Sequence, residues 1–164
     1  LYPLLKRILK PIISTQIFCR FIKILQRTVW RLLNEELVNI SKARISHADD
    51  CLREAKLLLK AEEYKGAANR AYYAAFHSLR AVLILDSFDS KKHSGIIAKF
   101  RENYLKTELF SKEISDYISS LFRVRSASDY DDFYIVSKEE AISQVDKAEK
   151  IICQVKSYLS KNIQ

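Results

Sequence analysis

Between residues 34 and 63, apolar side chains return every three or four positions. Ala48, Leu52, Ala55 and Leu59 fall on one stripe with Lys, Arg and Glu between them, the period of a helix with one buried face. Tyr64-Lys65-Gly66 breaks the run, and Gly66 is expected to end that helix as a C-cap or turn. A second helix is predicted over 67–85, where Ala67, Ala71, Ala74 and Ala75 form a small-residue face that lets a neighbour approach closely. After a polar break at 86–90, Ile96, Ile97 and Phe100 predict a short helix over 94–104. Ile114, Ile118, Leu121 and Phe122 form the apolar side of another, with Ser111 as its expected N-cap. Ser137 and Glu140 fit a capping box ahead of a last helix striped by Ala141, Val145, Ala148, Ile152, Val155 and Leu159. The segment SASDYDDFY between these two reads as a fraying helix end and a loop.

Composition narrows this to one class. Two Gly and two Pro in 164 residues leave little material for tight turns, and no apolar–polar alternation is long enough for a strand. The expectation is an all-α, up-and-down bundle of four long helices plus a short one, with connections short enough to favour antiparallel neighbours. Cys19, Cys51 and Cys153 are widely separated and form no CxxC pair. Reduced, structural thiols in a cytoplasmic protein are therefore expected, rather than a disulfide framework or a zinc site.

The net charge of +8 comes from one place. Residues 1–33 hold Lys6, Arg7, Lys10, Arg20, Lys23, Arg27 and Arg31 and no acid, whereas the remainder carries 21 basic and 20 acidic side chains. The remainder is near neutral, so the overall charge gives no argument for nucleic-acid binding. The chain is read as a basic, apolar and helical N-terminal extension, 1–33, followed by one helical domain, 34–164. Three readings of the extension compete. It is a basic amphipathic helix on a membrane surface or nucleic-acid face, or a targeting peptide lacking a clean apolar run and a small-residue cleavage site. The third is translated sequence upstream of a natural start at or near Leu33, which the opening NEELVNISKARI favours. Charges interrupt every window of the ~20 apolar residues that a spanning helix needs, and no membrane partner is expected unless residues 1–33 are native.

Three blocks carry candidate chemistry: NRAYYAAFHSLRAVL (69–83), KKHSG (91–95) and RVRSASDYDDFY (123–134). Arg70 and His77 stand two helical turns apart and project from one side of the second helix, flanked by Tyr72 and Tyr73. A His and an Arg within reach of one phosphodiester suffice for RNA cleavage without a metal. The His takes the 2′-hydroxyl proton and the Arg stabilises charge on the phosphoryl group. The same residues also suit a bundle core, since a His or Tyr on an apolar helix is commonly packed with its polar tip satisfied. Arg70 is also placed to pair with Asp129 or Asp131 and so tie two helices together. Asp129, Asp131 and Asp132 around Tyr130 offer carboxylate oxygens to a hard cation or form a solvated capping loop. His93, behind Lys91 and Lys92, suits a phosphate at a helix start or a surface turn equally, and His47 is expected to be exposed. No Walker loop, GxGxxG, HExxH or nucleophile elbow occurs, and neither a cofactor nor a metal is expected.

In this order and spacing, the three blocks resemble the HEPN family of small prokaryotic all-helical domains, over roughly residues 34–160. The likeness is greatest to the branch with RAYYAAFH on one helix and R-x-x-x-D-Y-D on a later one. It implies a HEPN-type bundle that dimerises and places two motif regions at a shared groove, often encoded beside a minimal nucleotidyltransferase in a toxin–antitoxin module. The family's pattern for RNA cleavage is R-x4–6-H, which Arg70 and His77 satisfy with six residues between them. Catalytic members usually carry it near the start of the final long helix or in the loop before. Here that place is held by Arg125, with Tyr130 where the histidine is expected. A tyrosine with a pKa of about 10 is a poor base at neutral pH. In some members the nucleotidyltransferase modifies a tyrosine near the active motif, and by position Tyr130 or Tyr134 is the candidate.

Two functions stay open. One is a HEPN partner in such a module with RNA as its target. It would use Arg70, His77 and Arg125 catalytically and Asn69, Tyr73, Asp129, Tyr130 and Asp131 for binding, with Arg70, His77, Arg125 and Tyr130 lining one cleft. The other is a non-catalytic assembly module whose groove holds a nucleotide, an RNA end or the nucleotidyltransferase.

Overall fold

The computed structural model describes residues 15–163, and every regular element among them is a helix. α1 spans Thr15–Lys60, α2 Tyr64–Leu83, α3 His93–Phe100, α4 Glu113–Tyr130 and α5 Lys138–Asn162. A 3-10 turn, Ile84–Asp86, prolongs α2, and a π turn, Arg101–Leu105, prolongs α3. Four long helices and a short one thus form the all-α bundle that the periodicity predicts. The bundle is the compact unit that begins at Val38. In the other unit, Ile24, Leu25, Val29 and Leu32 are exposed apolar side chains. No described helix is long and apolar enough to cross a membrane. Lys6, Arg7 and Lys10, on which the readings of the extension partly rest, lie outside the described residues.

Cross-helix pairs define the topology. Between α1 and α2, Ser41 Oγ donates to the Ala81 carbonyl at 2.6 Å, Arg44 Nη1 donates to the Arg80 carbonyl at 3.0 Å, and Glu54 meets Arg70. Residue numbers rise on one helix as they fall on the other, so the pair is antiparallel. The same descending register joins α1 to α5 through Asp49–Lys156 at 2.7 Å and Lys56–Glu149 at 2.6 Å. It joins α4 to α5 through Ser111–Gln154 and Ser120–Lys147. α2 is the central element, packed on α5, α4 and α3, while Ala48, Cys51, Leu52 and Ala55 of α1 complete the same core. Burial of each large aliphatic chain there, such as Leu79, Ile114 or Leu121, is worth about 1.5–3 kcal/mol.

Three local expectations are corrected. Gly66 neither caps α1 nor turns the chain. The left-handed residue after α1 is Glu62, at φ 63°, and α2 already starts at Tyr64. Gly66 serves close approach instead, since a Cβ there would lie 3.3 Å from Leu58 Cδ1 on α1. Ser111 does not cap α4, which begins at Glu113. Its hydroxyl accepts from Gln154 Nε2 at 2.9 Å and so links the start of α4 to α5. Ser137 does cap α5, accepting from the Glu140 N–H at 3.1 Å. The reciprocal half of the box is diverted, because the Glu140 carboxylate takes the Tyr134 hydroxyl at 2.8 Å and anchors the loop after α4.

Candidate functional site

α2 brings its polar residues to two different neighbours. Arg70 and His77 do share a side, as their spacing predicts, and that side faces α1. Arg70 Nε pairs with Glu54 Oε2 at 3.1 Å, with both side chains about half exposed. The His77 ring meets the His47 ring edge-on at 4.3 Å, and His47 is exposed as expected. His47 Nε2 also lies 4.0 Å from Cys51 Sγ, whose thiol burial pushes up, with Arg70 partly opposing. Burial, then repulsion from His47, Arg80 and Arg44, lowers the His77 pKa to about 4. The ring is neutral at physiological pH and holds a proton weakly. The expected Arg70–Asp129 or Arg70–Asp131 tie is absent among the described residues, because Arg70 reaches α1 instead.

The other side of α2 meets α3 and α4 around Arg125. Arg125 Nη2 pairs with Asp129 Oδ2 one turn later at 3.0 Å, and its side chain is only 17% exposed. Asn69 Nδ2 donates to the other oxygen of Asp129 at 3.2 Å. The guanidinium lies 5.9 Å from the centre of the Tyr72 ring and 5.8 Å from that of Tyr130, and the nearby Tyr73 and Tyr130 hydroxyls favour its charged form. Its Nε is buried and has no hydrogen-bond partner among the described residues. Asn69, Tyr73, Arg125, Asp129 and Tyr130 are therefore gathered here, whereas Arg70 and His77 lie on the α1 side. Tyr73 reaches the other group by stacking on His77 at 6.3 Å, and Phe76 meets the same ring edge-on at 5.7 Å. Asp131 ends α4 and accepts from the Phe133 N–H at 3.0 Å, as a loop cap does. No group of three His, Cys, Asp or Glu side chains suited to a metal ion occurs among the described residues.

The structure adds His93 to this cluster. It is the first residue of α3, and its Nδ1 lies 2.7 Å from the Tyr72 hydroxyl. Its ring stacks on Phe76 at 4.2 Å and meets Tyr73 edge-on at 6.1 Å. Burial, then the charges of Arg125 and Arg80, lowers its pKa. Gly95 makes the placement possible, because a Cβ there would stand 2.9 Å from Ser90 Oγ, the atom that accepts from the Lys92 N–H at 3.1 Å. His93, Phe76, Arg80, Asp89, Ser90 and Lys91 line an open groove of about 510 Å³. Asp89 is shared by Arg80, which grips it through two nitrogens at 3.0 and 2.7 Å, and by Arg44 at 2.6 Å. These contacts, Arg80 first, hold its pKa near 2. Two arginines on one carboxylate, with Lys91 beside them, leave the groove wall cationic.

The HEPN domain family profile matches residues 41–158, most of the chain. This chain belongs to the HEPN family. A Thermotoga maritima relative named UPF0332 protein is 36% identical over 102 residues, which cover 62% of this HEPN chain and 77% of that one. A Methanocaldococcus jannaschii protein that bears the name "Putative toxin" is 33% identical over 120 residues, 73% of this chain and 82% of its own. The crystal structure of TT1696 from Thermus thermophilus superposes with a TM-score of 0.63 at 20% identity, covering 73% of this chain and 98% of that one. At that identity the likeness is one of fold.

In this HEPN protein, then, the arginine of the later motif is near a histidine that no linear pattern joins to it. KKHSG was visible as a motif, but its link to Arg125 runs through Tyr72 and Phe76 of a third segment. The signal that could have found it is the aromatic pair on the α2 face opposite Arg70, which calls for a polar partner for the Tyr72 hydroxyl.

Proposed function

We propose that this HEPN protein is the toxin-like member of a paired module, and that its target is RNA in the cytoplasm, cleaved without a metal. What supports the reading is Arg125. It is a permanently charged guanidinium, mostly covered, set between the Tyr72 and Tyr130 rings and paired with one carboxylate, and His93 of the same cluster lines an open groove with further cations. Such a group holds a phosphate oxygen and stabilises the charge that builds on phosphorus during cleavage. Asn69, Tyr73, Asp129 and Tyr130 fix its position, and Asp131 bounds the site at the helix end. The relatives that bear toxin names favour the module, and the family resemblance favours a homodimer and a minimal nucleotidyltransferase as partners. Tyr130, 78% exposed, is then the accessible modification target, since the Tyr134 hydroxyl is taken up by Glu140.

The test is cleavage of a labelled single-stranded RNA by the full chain in EDTA. The wild type should cleave, and Arg125→Ala should lose about 100-fold or more with its helical circular dichroism intact. Equal rates would remove Arg125 from the site. A second reading, a binding module without catalysis, is favoured by the Arg70–Glu54 pair, which takes up the arginine of the one complete R-x4–6-H pattern. A wild type that binds RNA or a nucleotide tightly and never cleaves would decide for it.

A further inference from the structure

We propose that His93 is the proton acceptor of this site, taking the 2′-hydroxyl proton of an RNA strand whose scissile phosphate rests against Arg125. The inference rests on the RNA reading above and assigns the base to a residue outside the R-x4–6-H pattern.

Four observations carry it. First, the two rings and the guanidinium converge: His93 lies 5.7 Å from the Tyr72 ring centre and the Arg125 guanidinium 5.9 Å from it. Second, one nitrogen is held and the other is available. Nδ1 is bound to the Tyr72 hydroxyl at 2.7 Å, and Nε2 makes no hydrogen bond among the described residues. Burial keeps Tyr72 a phenol by raising its pKa well above the ordinary range. A phenol accepts from Nδ1–H as readily as it donates to a bare Nδ1. When it accepts, the Nε2 lone pair is free to act as base. Third, stacking on Phe76 fixes the ring plane, and His93 forms part of the wall of the groove that Arg80, Ser90 and Lys91 also line. A volume of about 510 Å³ falls in the range of small-ligand sites and admits a nucleotide. Fourth, the competing base is worse placed. His77 abuts His47 on the α1 side, and no described contact joins it to Arg125.

The step balances without a co-reactant. The 2′-oxygen forms a bond to phosphorus as its proton passes to His93 Nε2. The P–O5′ bond breaks, and the departing 5′-oxygen takes a proton from water. The products are a 2′,3′-cyclic phosphate and a 5′-hydroxyl end. Tyr72 is a positioning residue that selects the tautomer, and Arg125 touches the phosphate.

The experiment uses the full chain in EDTA, a labelled single-stranded RNA for cleavage and its 2′-O-methyl counterpart for binding. His93→Ala should lower cleavage by about 100-fold or more while binding the 2′-O-methyl strand within about threefold of wild type. Added imidazole should restore part of the lost rate to His93→Ala and none to Arg125→Ala, a rescue that a merely structural histidine would not show. Tyr72→Phe keeps the ring packing and should lose about tenfold in rate with binding retained. Cleavage by His93→Ala at the wild-type rate overturns the assignment, as does loss in His77→Ala alone with imidazole rescue there. A wild type that leaves all RNA intact overturns the RNA reading itself, and the His93 assignment with it.

Discussion

The two clusters on either side of α2 use the same residue types to opposite ends. Towards α1, Arg70 is matched by Glu54 and His77 is set against a second histidine. Towards α3 and α4, Arg125 pairs with Asp129 between the Tyr72 and Tyr130 rings, and His93 is held through Nδ1 with Nε2 making no hydrogen bond among the described residues. Helical spacing states which side chains point the same way. It does not state what stands opposite. An arginine opposite a glutamate on a neighbouring helix is a fastening, whereas one set among aromatic rings next to a groove-lining histidine is placed to receive a ligand.

The contrast is broken most directly at its arginines. Arg125→Ala should cost cleavage about 100-fold or more, about 3 kcal/mol of transition-state stabilisation, and Arg70→Ala less than about tenfold. Initial rates on a labelled RNA read the ranking, and the reverse order would move the site to the α1 side.

A smaller effect distinguishes the histidines through stability. The His77 pKa of about 4 in the folded chain lies below the value of about 6.5 expected when unfolded. Between those values the unfolded chain binds more protons. The contribution is therefore fully present above about pH 6.5 and is lost as the pH falls towards 4. Because the ring is only partly buried, the loss should be about 1–2 kcal/mol. Denaturant titrations from pH 7 to 4 should give a flatter profile for His77→Gln, and an unchanged profile would place the acid sensitivity elsewhere.

Gly95→Ala sets a Cβ 2.9 Å from Ser90 Oγ and should destabilise by about 1 kcal/mol, lowering Tm by a few degrees. Pairing it with Ser90→Gly should return most of that loss, and failure to do so would show that the Ser90 contact is not its cause. Least of all, Glu54→Gln should shift stability by about 0.5 kcal/mol or less, because its pair with Arg70 is half exposed. A larger drop would mean that Glu54 does more for α1 than hold Arg70.

The fold was legible because burial follows period. All six residues of the predicted α5 stripe, from Ala141 to Leu159, are buried, and Ser137 caps the helix as its position implies. What was not legible depended on tertiary contact. Gly66 looks like punctuation until Leu58 is seen above it. Ser111 looks like a cap until Gln154 reaches it. The candidate site was half legible. Asn69, Tyr73, Arg125, Asp129 and Tyr130 stand together, and each lies in the first or the last of the three blocks that carry candidate chemistry. His93 joins them only because α3 packs on α2, a juxtaposition that no periodicity encodes. Spacing singles out Arg70 and His77 but is silent about Glu54 and His47.

The ladder between α1 and α5 also sets an order of events in time. Neighbouring helices meet through short loops, which close quickly, but Lys56 and Glu149 are 93 residues apart, and such a contact carries the entropy of a long loop. α2 packs on α5, so a chain growing from its N-terminus has α2 without that partner until α5 emerges. Until then Tyr72, Tyr73 and Arg125 are held by half a bundle. The cluster around Arg125 therefore becomes rigid only once α5 has been made, and a ribosome-bound chain carries its parts before it carries their geometry.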